Sequence, residues 1–203
     1  RTPDEPRPAR ATEDPAVVAL RATLVEGAGS IRGASSLVVR GRRFPMDCTG
    51  VVLAVYWYAG IDLARDFGRY AGNGVSRIFR TLEREGLLYD TTDPLAGDIV
   101  FWDDTYDANG NGKWDDALSH VGMVTSVSDD GTIEYIHHHV RKGIVIERMN
   151  LLHPAEESRS SWGRVRILNS PLRLAARGQP HPPLWLAGQL YRILGMGYLL
   201  PPR

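Results

Sequence analysis

The pattern of apolar and polar residues divides the chain into a helical first half and a β-rich second half. In "GVSRIFRTLEREG", residues 74–86, apolar side chains recur at helical spacing and the last glycine is a typical stop. A helix is also predicted over about residues 15–26, with Asp14 as its cap and Pro15 in its first turn. Between them, "CTGVVLAVYWY" at 48–58 is almost wholly apolar, so it fits a buried helix or a strand.

After Gly97 the period changes to that of strands. Four short β-rich runs follow, namely "GDIVFWDD", "SHVGMVTSV", "TIEYIHHHV" and "GIVIERM". The turn residues "SDDG" between the second and third runs predict a hairpin. Helices followed by an antiparallel sheet indicate the α+β class, with the N-terminal helices packed on the sheet.

We expect one domain between two flanking segments. Residues 1–15 hold four prolines and many charges, which is typical of a flexible arm. Residues 16–170 form the predicted domain. In residues 171–203, four prolines before residue 184 predict a linker, and "LWLAGQLYRILGMGYLL" predicts an apolar C-terminal helix. That helix would pack back onto the domain or contact a membrane surface or a partner.

Charge gives little indication of a partner. The 203 residues include 24 basic and 24 acidic side chains, so nothing points to nucleic acid. After Glu157, however, there are seven arginines and no acid, which predicts contact with an anionic surface or simply a solvated face. No apolar stretch reaches the ~18 residues of a membrane span. The chain opens with Arg1, as a trimmed or mature chain would, so a signal peptide is not observable.

The only cysteine, Cys48, stands directly before the apolar run. If that run is a helix, its N-terminus would lower the thiol pKa, because unpaired N–H groups favour the thiolate. His120 and His137 fall on the two strands of the predicted hairpin, where side chains on one face approach to about 5 Å. A thiol hydrolase needs a base and an orienting group of this kind. Taken alone, Cys48 also fits a small buried apolar residue.

Four motifs in order resemble the NlpC family of papain-like cysteine peptidases. "FPMDCTGVV" is similar to the family's Asp-Cys-Ser-Gly signature, and "AGDIVFWDD" to its Gly-Asp-Leu-Val-Phe-Phe strand. "SHVGMVTSV" is similar to its Ser-His-Val-Gly-Ile-Tyr strand, and "EYIHHHVRKGIVIERM" to the strand with the third catalytic residue. The motifs cover about residues 30–150, and the related CHAP amidases share their order. The resemblance implies a papain-like (NlpC/CHAP-type) α+β fold.

The resemblance also implies site residues and a function. Cys48 matches the nucleophile, His120 the general base and His137 the orienting residue, with the Cys48 backbone N–H as an oxyanion donor. Such proteins are exported hydrolases that cut peptide or amide bonds, mostly in peptidoglycan stem peptides, and need no catalytic metal or cofactor. One departure is "VVRGRRFP" before the cysteine, which lacks the tyrosine usual in the family and leaves the stem-peptide specificity open.

Three alternatives remain open from the sequence. His139 shares strand parity with His137, so a register slip would give it the third role. The fold could serve as a catalytically inactive wall-binding or interaction module. A metal-dependent hydrolase using His120, His137 and His139 is a further alternative, although no HExxH-type spacing occurs.

A second motif, "DANGNGKWDD" at residues 107–116, is similar to the first half of an EF-hand loop. Leu118 stands where the loop's bidentate Glu would be, so it is not an EF-hand. It predicts a structural Ca²⁺ site beside the strand of His120, and the alternative is an Asn-Gly turn without an ion. The predicted ligands are Asp107, Asn109, Asn111, the Lys113 carbonyl, and Asp115 or Asp116.

Overall fold

A computed structural model describes residues 14–161, 163–174 and 182–201. The helices are α1 (Pro15–Ile31), α2 (Cys48–Tyr58), α3 (Gly74–Arg84) and α4 (Ala187–Leu190), with 3₁₀ turns at Phe67–Arg69 and Gly197–Leu199. The strands are β1 (Leu37–Val39), β2 (Arg42–Phe44), β3 (Leu88–Tyr89), β4 (Ile99–Trp102), β5 (His120–Val127), β6 (Thr132–His139), β7 (Gly143–Asn150), β8 (Ser158–Ser161), β9 (Arg164–Ile167) and β10 (Tyr191–Gly195).

A six-stranded antiparallel sheet in the order β3-β10-β4-β5-β6-β7 forms the centre of the molecule. Helices α1 and α2 pack together, and α2 also packs on β5 and β6. The prediction of an α+β class with N-terminal helices on an antiparallel sheet is therefore confirmed. The predicted hairpin is also present, since β5 and β6 pair directly through their "SDDG" turn.

The ambiguous run 48–58 is the helix α2, and it begins at Cys48. The Asp47 carboxylate caps it by accepting the backbone N–H of Gly50 at 2.7 Å. Side chains 49–56 are all buried, because the helix lies between α1 and the sheet and has no face turned to water. Gly50 is required at the start, since a Cβ there would lie 1.8 Å from the Pro45 carbonyl oxygen. The absence of a side chain at Gly50 therefore lets the start of α2 lie close against the preceding turn.

The prediction of a C-terminal apolar helix is wrong. After the single turn of α4, residues 191–195 form β10, which is inserted between β3 and β4 of the central sheet. The run lacks a helical period, and Leu194 pairs with both Val100 and Tyr89. A Cβ on Gly195 would lie 2.5 Å from the Leu82 side chain, so a small residue is needed where β10 crosses α3. The described end of the chain thus completes the domain instead of following it.

The other flanking predictions fall largely outside the described residues. Of the predicted arm at 1–15, only Asp14 and Pro15 are described, and they cap and begin α1. Of the predicted linker, residues 171–174 run beside 184–186, since Pro171 bridges Leu186 and the Leu172 N–H donates to the Trp185 carbonyl at 2.8 Å. Within the described ranges, no helix has the length and hydropathy to cross a membrane.

Candidate active site

The Cys48 thiol lies at the first position of α2, half-buried against the sheet. Burial and the negative charge of Asp47 raise its pKa to about 11. Hydrogen bonds from the backbone N–H groups of Val121 and Thr49 and from the Thr49 hydroxyl oppose this rise but do not cancel it. The lowering of the thiol pKa expected at the helix N-terminus is therefore outweighed, and the prediction of a lowered pKa is wrong. The carboxylate that caps the helix stands next to the thiol, so the resting thiol is neutral.

His120 is the first residue of β5 and lines the same cavity as Cys48. It pairs with Trp102 of β4, whose ring centroid is 5.7 Å from that of the imidazole. The backbone N–H of the next residue, Val121, donates a hydrogen bond to the Cys48 sulfur. Burial and the nearby charges of the three histidines of β6 lower the pKa of His120 well below its usual value. At neutral pH the imidazole is accordingly an unprotonated base.

His137 contacts His120 across the β5–β6 pair. Its Nδ1 lies 2.8 Å from His120 Nε2, and the ring is 1% exposed. His139 instead stabilises the following turn, because its Nδ1 accepts hydrogen bonds from the backbone N–H groups of Arg141 and Lys142 at 3.0 and 3.2 Å. The structure thus brings His137 to the candidate base and places His139 in the turn that follows.

Glu147 of β7 also belongs to the site, and the sequence analysis missed it. One carboxylate oxygen lies 3.1 Å from His137 Nε2 and the other 2.7 Å from Lys142 Nζ. Burial raises the pKa of Glu147, but the two hydrogen bonds outweigh burial and bring the pKa to about 2. The signal was strand parity: Val145, Glu147 and Met149 alternate in "GIVIERM", which puts an acid on the face shared with His137.

The candidate residues open into a cavity of about 660 Å³. Cys48, His120 and His137 line one side of it. Tyr106 and Trp114, from the connection between β4 and β5, line a second side. The third side is residues 172–174, and the Arg173 guanidinium stacks 3.9 Å from the centroid of the Trp114 ring. A groove walled by aromatic and aliphatic side chains, with a thiol and an imidazole on one side, suits an extended polar-backbone substrate such as a peptide.

The predicted calcium loop forms part of this wall and is organised by its own hydrogen bonds. The Asp107 carboxylate accepts three backbone N–H groups, from Gly110, Asn111 and Gly112, at 2.7 to 3.1 Å. The Asn111 side chain reaches Asp115 at 3.1 Å, so these two predicted ligands adjoin.

The remaining predicted ligands are placed differently. Asn109 reaches the Asp115 carboxylate at 3.4 Å, whereas the Lys113 N–H donates to the Asn111 side chain at 2.7 Å. Asp116 is buried, its Oδ2 has no hydrogen-bond partner among the described residues, and its backbone pairs with Asp104. Burial, followed by the charges of Cys48, Asp116 and Asp47, raises the pKa of Tyr106. Among the described residues it is Asp115 that contacts the Asn109 and Asn111 side chains, so the structure favours Asp115 over Asp116 as a loop ligand.

In the described part of the chain, no cluster of three or more His, Cys, Asp and Glu side chains could hold a metal ion. His120, His137 and His139 accordingly do not form the metal centre of the third alternative. His120 and His137 are instead joined to each other by a direct hydrogen bond, with Glu147 behind them.

Comparison with protein families gives one match, the CHAP domain, over residues 39–139. This segment runs from the last residue of β1 to the last residue of β6 and contains Cys48, His120 and His137. Glu147 lies beyond it. No curated protein and no solved structure matches significantly.

Proposed function

The chain belongs to the CHAP domain family through residues 39–139, and from this premise we propose that it is a cysteine hydrolase of peptide or amide bonds in peptidoglycan stem peptides. The family is one of amidases and peptidases that act on this polymer. The observation that carries the proposal is the contact between His120 and His137 at 2.8 Å, in the cavity that also holds the Cys48 thiol. A nucleophile, a base and an orienting group in one cavity are the parts that acyl transfer needs.

The proposed chemistry starts from a neutral thiol and a neutral imidazole. Because Nε2 of His120 is engaged with His137, Nδ1 is the nitrogen left to take the Cys48 proton. The proton moves to Nδ1 as sulfur attacks the scissile carbonyl carbon, and the carbonyl oxygen becomes an oxyanion. His120 then gives that proton to the leaving amine as the C–N bond breaks, which leaves a thioester on Cys48. Water, deprotonated by His120, hydrolyses the thioester and restores the thiol.

The oxyanion is the charge that must be stabilised during both steps. The backbone N–H of Cys48 is among the first N–H groups of α2, which have no partner within the helix. The N-terminal end of the helix dipole favours negative charge at the same point. The thiol and one oxyanion donor therefore come from a single residue, and the rigid burial of α2 fixes their relative positions.

The alternative of an inactive binding module on the same fold is favoured by one observation. A thiol with a pKa of about 11 is a poor nucleophile at rest. The two functions differ in whether His120 removes the thiol proton during attack. An exported location and a stem-peptide substrate are part of the proposal and rest on the resemblance to the family.

The test is digestion of purified peptidoglycan by the wild type and by Cys48→Ala, with the products identified by mass spectrometry. Thiol hydrolysis predicts stem-peptide fragments from the wild type and none from the variant. Folded wild type that releases nothing, yet sediments with the polymer, would replace the hydrolase with the binding module. Cys48→Ser is the matched control, because it replaces the thiol by a hydroxyl of similar size.

We also propose a structural Ca²⁺ in the loop 107–116, with no cofactor in the catalytic step. Asp107, Asn109, Asn111 and Asp115 supply oxygen atoms of the type that Ca²⁺ prefers, and the Asn109 and Asn111 side chains both contact Asp115. Bound there, the ion would hold the loop that carries Trp114 into the cavity wall. Its effect would be on the shape of the groove.

Contact of the C-terminal arginines with an anionic surface remains a proposal, and most of the described arginines of this segment are already paired or buried. Arg159 pairs with Glu156, Arg166 with Asp130, and Arg192 with Asp103. Arg173 is buried under Trp114. Arg164, on the exposed β8–β9 hairpin, has no ion pair within the described residues. Among the described arginines of this segment, Arg164 is therefore the one on which such a contact would depend, and Arg164→Ala should weaken sedimentation with an anionic polymer.

A further inference from the structure

We propose that Glu147 is a positioning residue, whose carboxylate fixes the tautomers of His137 and His120 so that Nδ1 of His120 is free to accept the Cys48 proton. This inference rests on the proposed hydrolase function and adds a fourth residue to its machinery. Glu147 lies on β7, one strand beyond the pair that carries the two histidines.

The assignment follows from what each atom can donate. An ionised carboxylate only accepts hydrogen bonds, so the 3.1 Å contact with Glu147 requires the proton of His137 on Nε2. We assign His137 this single ring proton, so its Nδ1 keeps a lone pair. His120 Nε2, 2.8 Å away, must then donate to that lone pair. With its own proton held at Nε2, His120 has its lone pair at Nδ1.

The Glu147 carboxylate can fix the tautomers of His137 and His120 because it stays ionised. Lys142 Nζ contacts its second oxygen at 2.7 Å, so each oxygen has a donor. Glu147 is 7% exposed, and a buried carboxylate with both oxygens engaged is held in one orientation. Were the proton of His137 on Nδ1, its Nε2 lone pair would face the carboxylate, and two acceptors would oppose each other in the protein interior.

Other charged groups near the histidines cannot do the same. His138 and His139 follow His137 on β6, and Asp47 stands at the start of α2 with its carboxylate on the Gly50 N–H. Arg141 lies in the turn after β6, where its backbone N–H donates to His139. Of the described carboxylates, only that of Glu147 has a hydrogen bond to His137.

The first test is direct, on the wild type. Two-dimensional NMR of protein labelled with ¹⁵N-histidine distinguishes the two neutral tautomers of each ring. We expect His137 and His120 both protonated at Nε2 at neutral pH. A proton on Nδ1 of His137 would overturn the proposal, whether or not the protein cuts peptidoglycan, so this outcome is separate from failure of the hydrolase function.

The second test compares Glu147→Gln with Glu134→Gln. The amide introduced by Glu147→Gln can donate to His137 Nε2 and select the opposite tautomer. We expect kcat to fall about 10- to 100-fold, with KM nearly unchanged, because orientation of the base is lost and substrate contacts are kept. Glu134 is the matched control: it lies on β6, pairs with Arg148 at 2.9 Å and contacts neither histidine. Equal kcat values for the two folded variants would overturn the proposal.

Discussion

Two polar clusters flank the cavity, and they are built in opposite ways. The line His120–His137–Glu147 is buried, spans three strands and joins residues up to 27 positions apart in the chain (from 120 to 147). The loop 107–116 is largely exposed, local, and closed by hydrogen bonds between its own side chains and backbone. A buried polar group cannot form hydrogen bonds with water, so each member of the first cluster depends on its neighbours for its hydrogen bonds. The exposed loop residues can replace a lost partner with water.

The largest expected effect is on catalysis. His120→Ala removes the proposed general base, so kcat on peptidoglycan should fall by about 10³-fold or more. Asn111→Ala in the loop should change kcat less than about threefold, since neither the thiol nor the base touches it. Rates are measured by fragment release from labelled peptidoglycan. Comparable losses in the two variants would erase the contrast between the clusters.

The next effect is on stability in acid. The pKa of Glu147 is about 2 in the folded protein and about 4.5 in the unfolded chain, so its contribution is complete above pH 4.5 and is lost as pH falls through 2. Integrated over that window, the loss is about 3 kcal/mol of the free energy of unfolding. Glu147→Gln has no such loss, so the difference between variant and wild type should shrink from pH 6 to pH 2. Urea unfolding at several pH values measures it, and parallel curves would contradict the buried ion pair.

A third effect concerns the thiol itself. Since only the thiolate reacts, a pKa raised from 9.0 to about 11 should make alkylation of Cys48 by iodoacetamide about 100-fold slower than that of free cysteine at pH 8. The rate should keep rising up to about pH 11. A plateau near neutral pH would instead mean that the thiolate and a protonated His120 already form an ion pair at rest.

The smallest effect is expected in the loop. Addition of 1 mM CaCl₂ after treatment with EDTA should raise the midpoint of thermal unfolding by a few degrees if the site binds with a Kd of about 10⁻⁴ M, because a ligand held only by the folded state adds RT ln(1 + [L]/Kd). Asn111→Ala should abolish the shift. A shift that persists in this variant would place the ion elsewhere, and none in the wild type would leave an ion-free turn.

Much of the fold and of the candidate site was predictable, because it depends on the local spacing of apolar residues and on turn residues. Helix α3 follows from its apolar spacing, and the proximity of His120 to His137 follows from the hairpin turn between their strands. Glu147 was missed because its place depends on the register between β6 and β7, which no local motif announces. Strand β10 was missed because its partners are about 90 to 105 residues away in the sequence, and an apolar run alone does not reveal them.

The thiol pKa was missed for a different reason. The helix start was correctly recognised as a source of positive potential at Cys48. The same start, however, needs the Asp47 carboxylate to cap it, and burial under the cavity removes the water that would stabilise a thiolate. The helix N-terminus lowers the thiol pKa, whereas burial and the Asp47 carboxylate raise it. Which of the two is larger depends on the packing around Cys48, which the sequence does not show.

The neutral thiol of Cys48 also affects how readily the protein is oxidised. Peroxide converts cysteine to sulfenic acid through the thiolate, so a thiol kept protonated is oxidised slowly. The sequence holds no second cysteine, and a sulfenic acid at position 48 could not be rescued as an internal disulfide. In the proposed mechanism the thiolate forms only when His120 takes the proton, so the resting thiol would be oxidised slowly between turnovers.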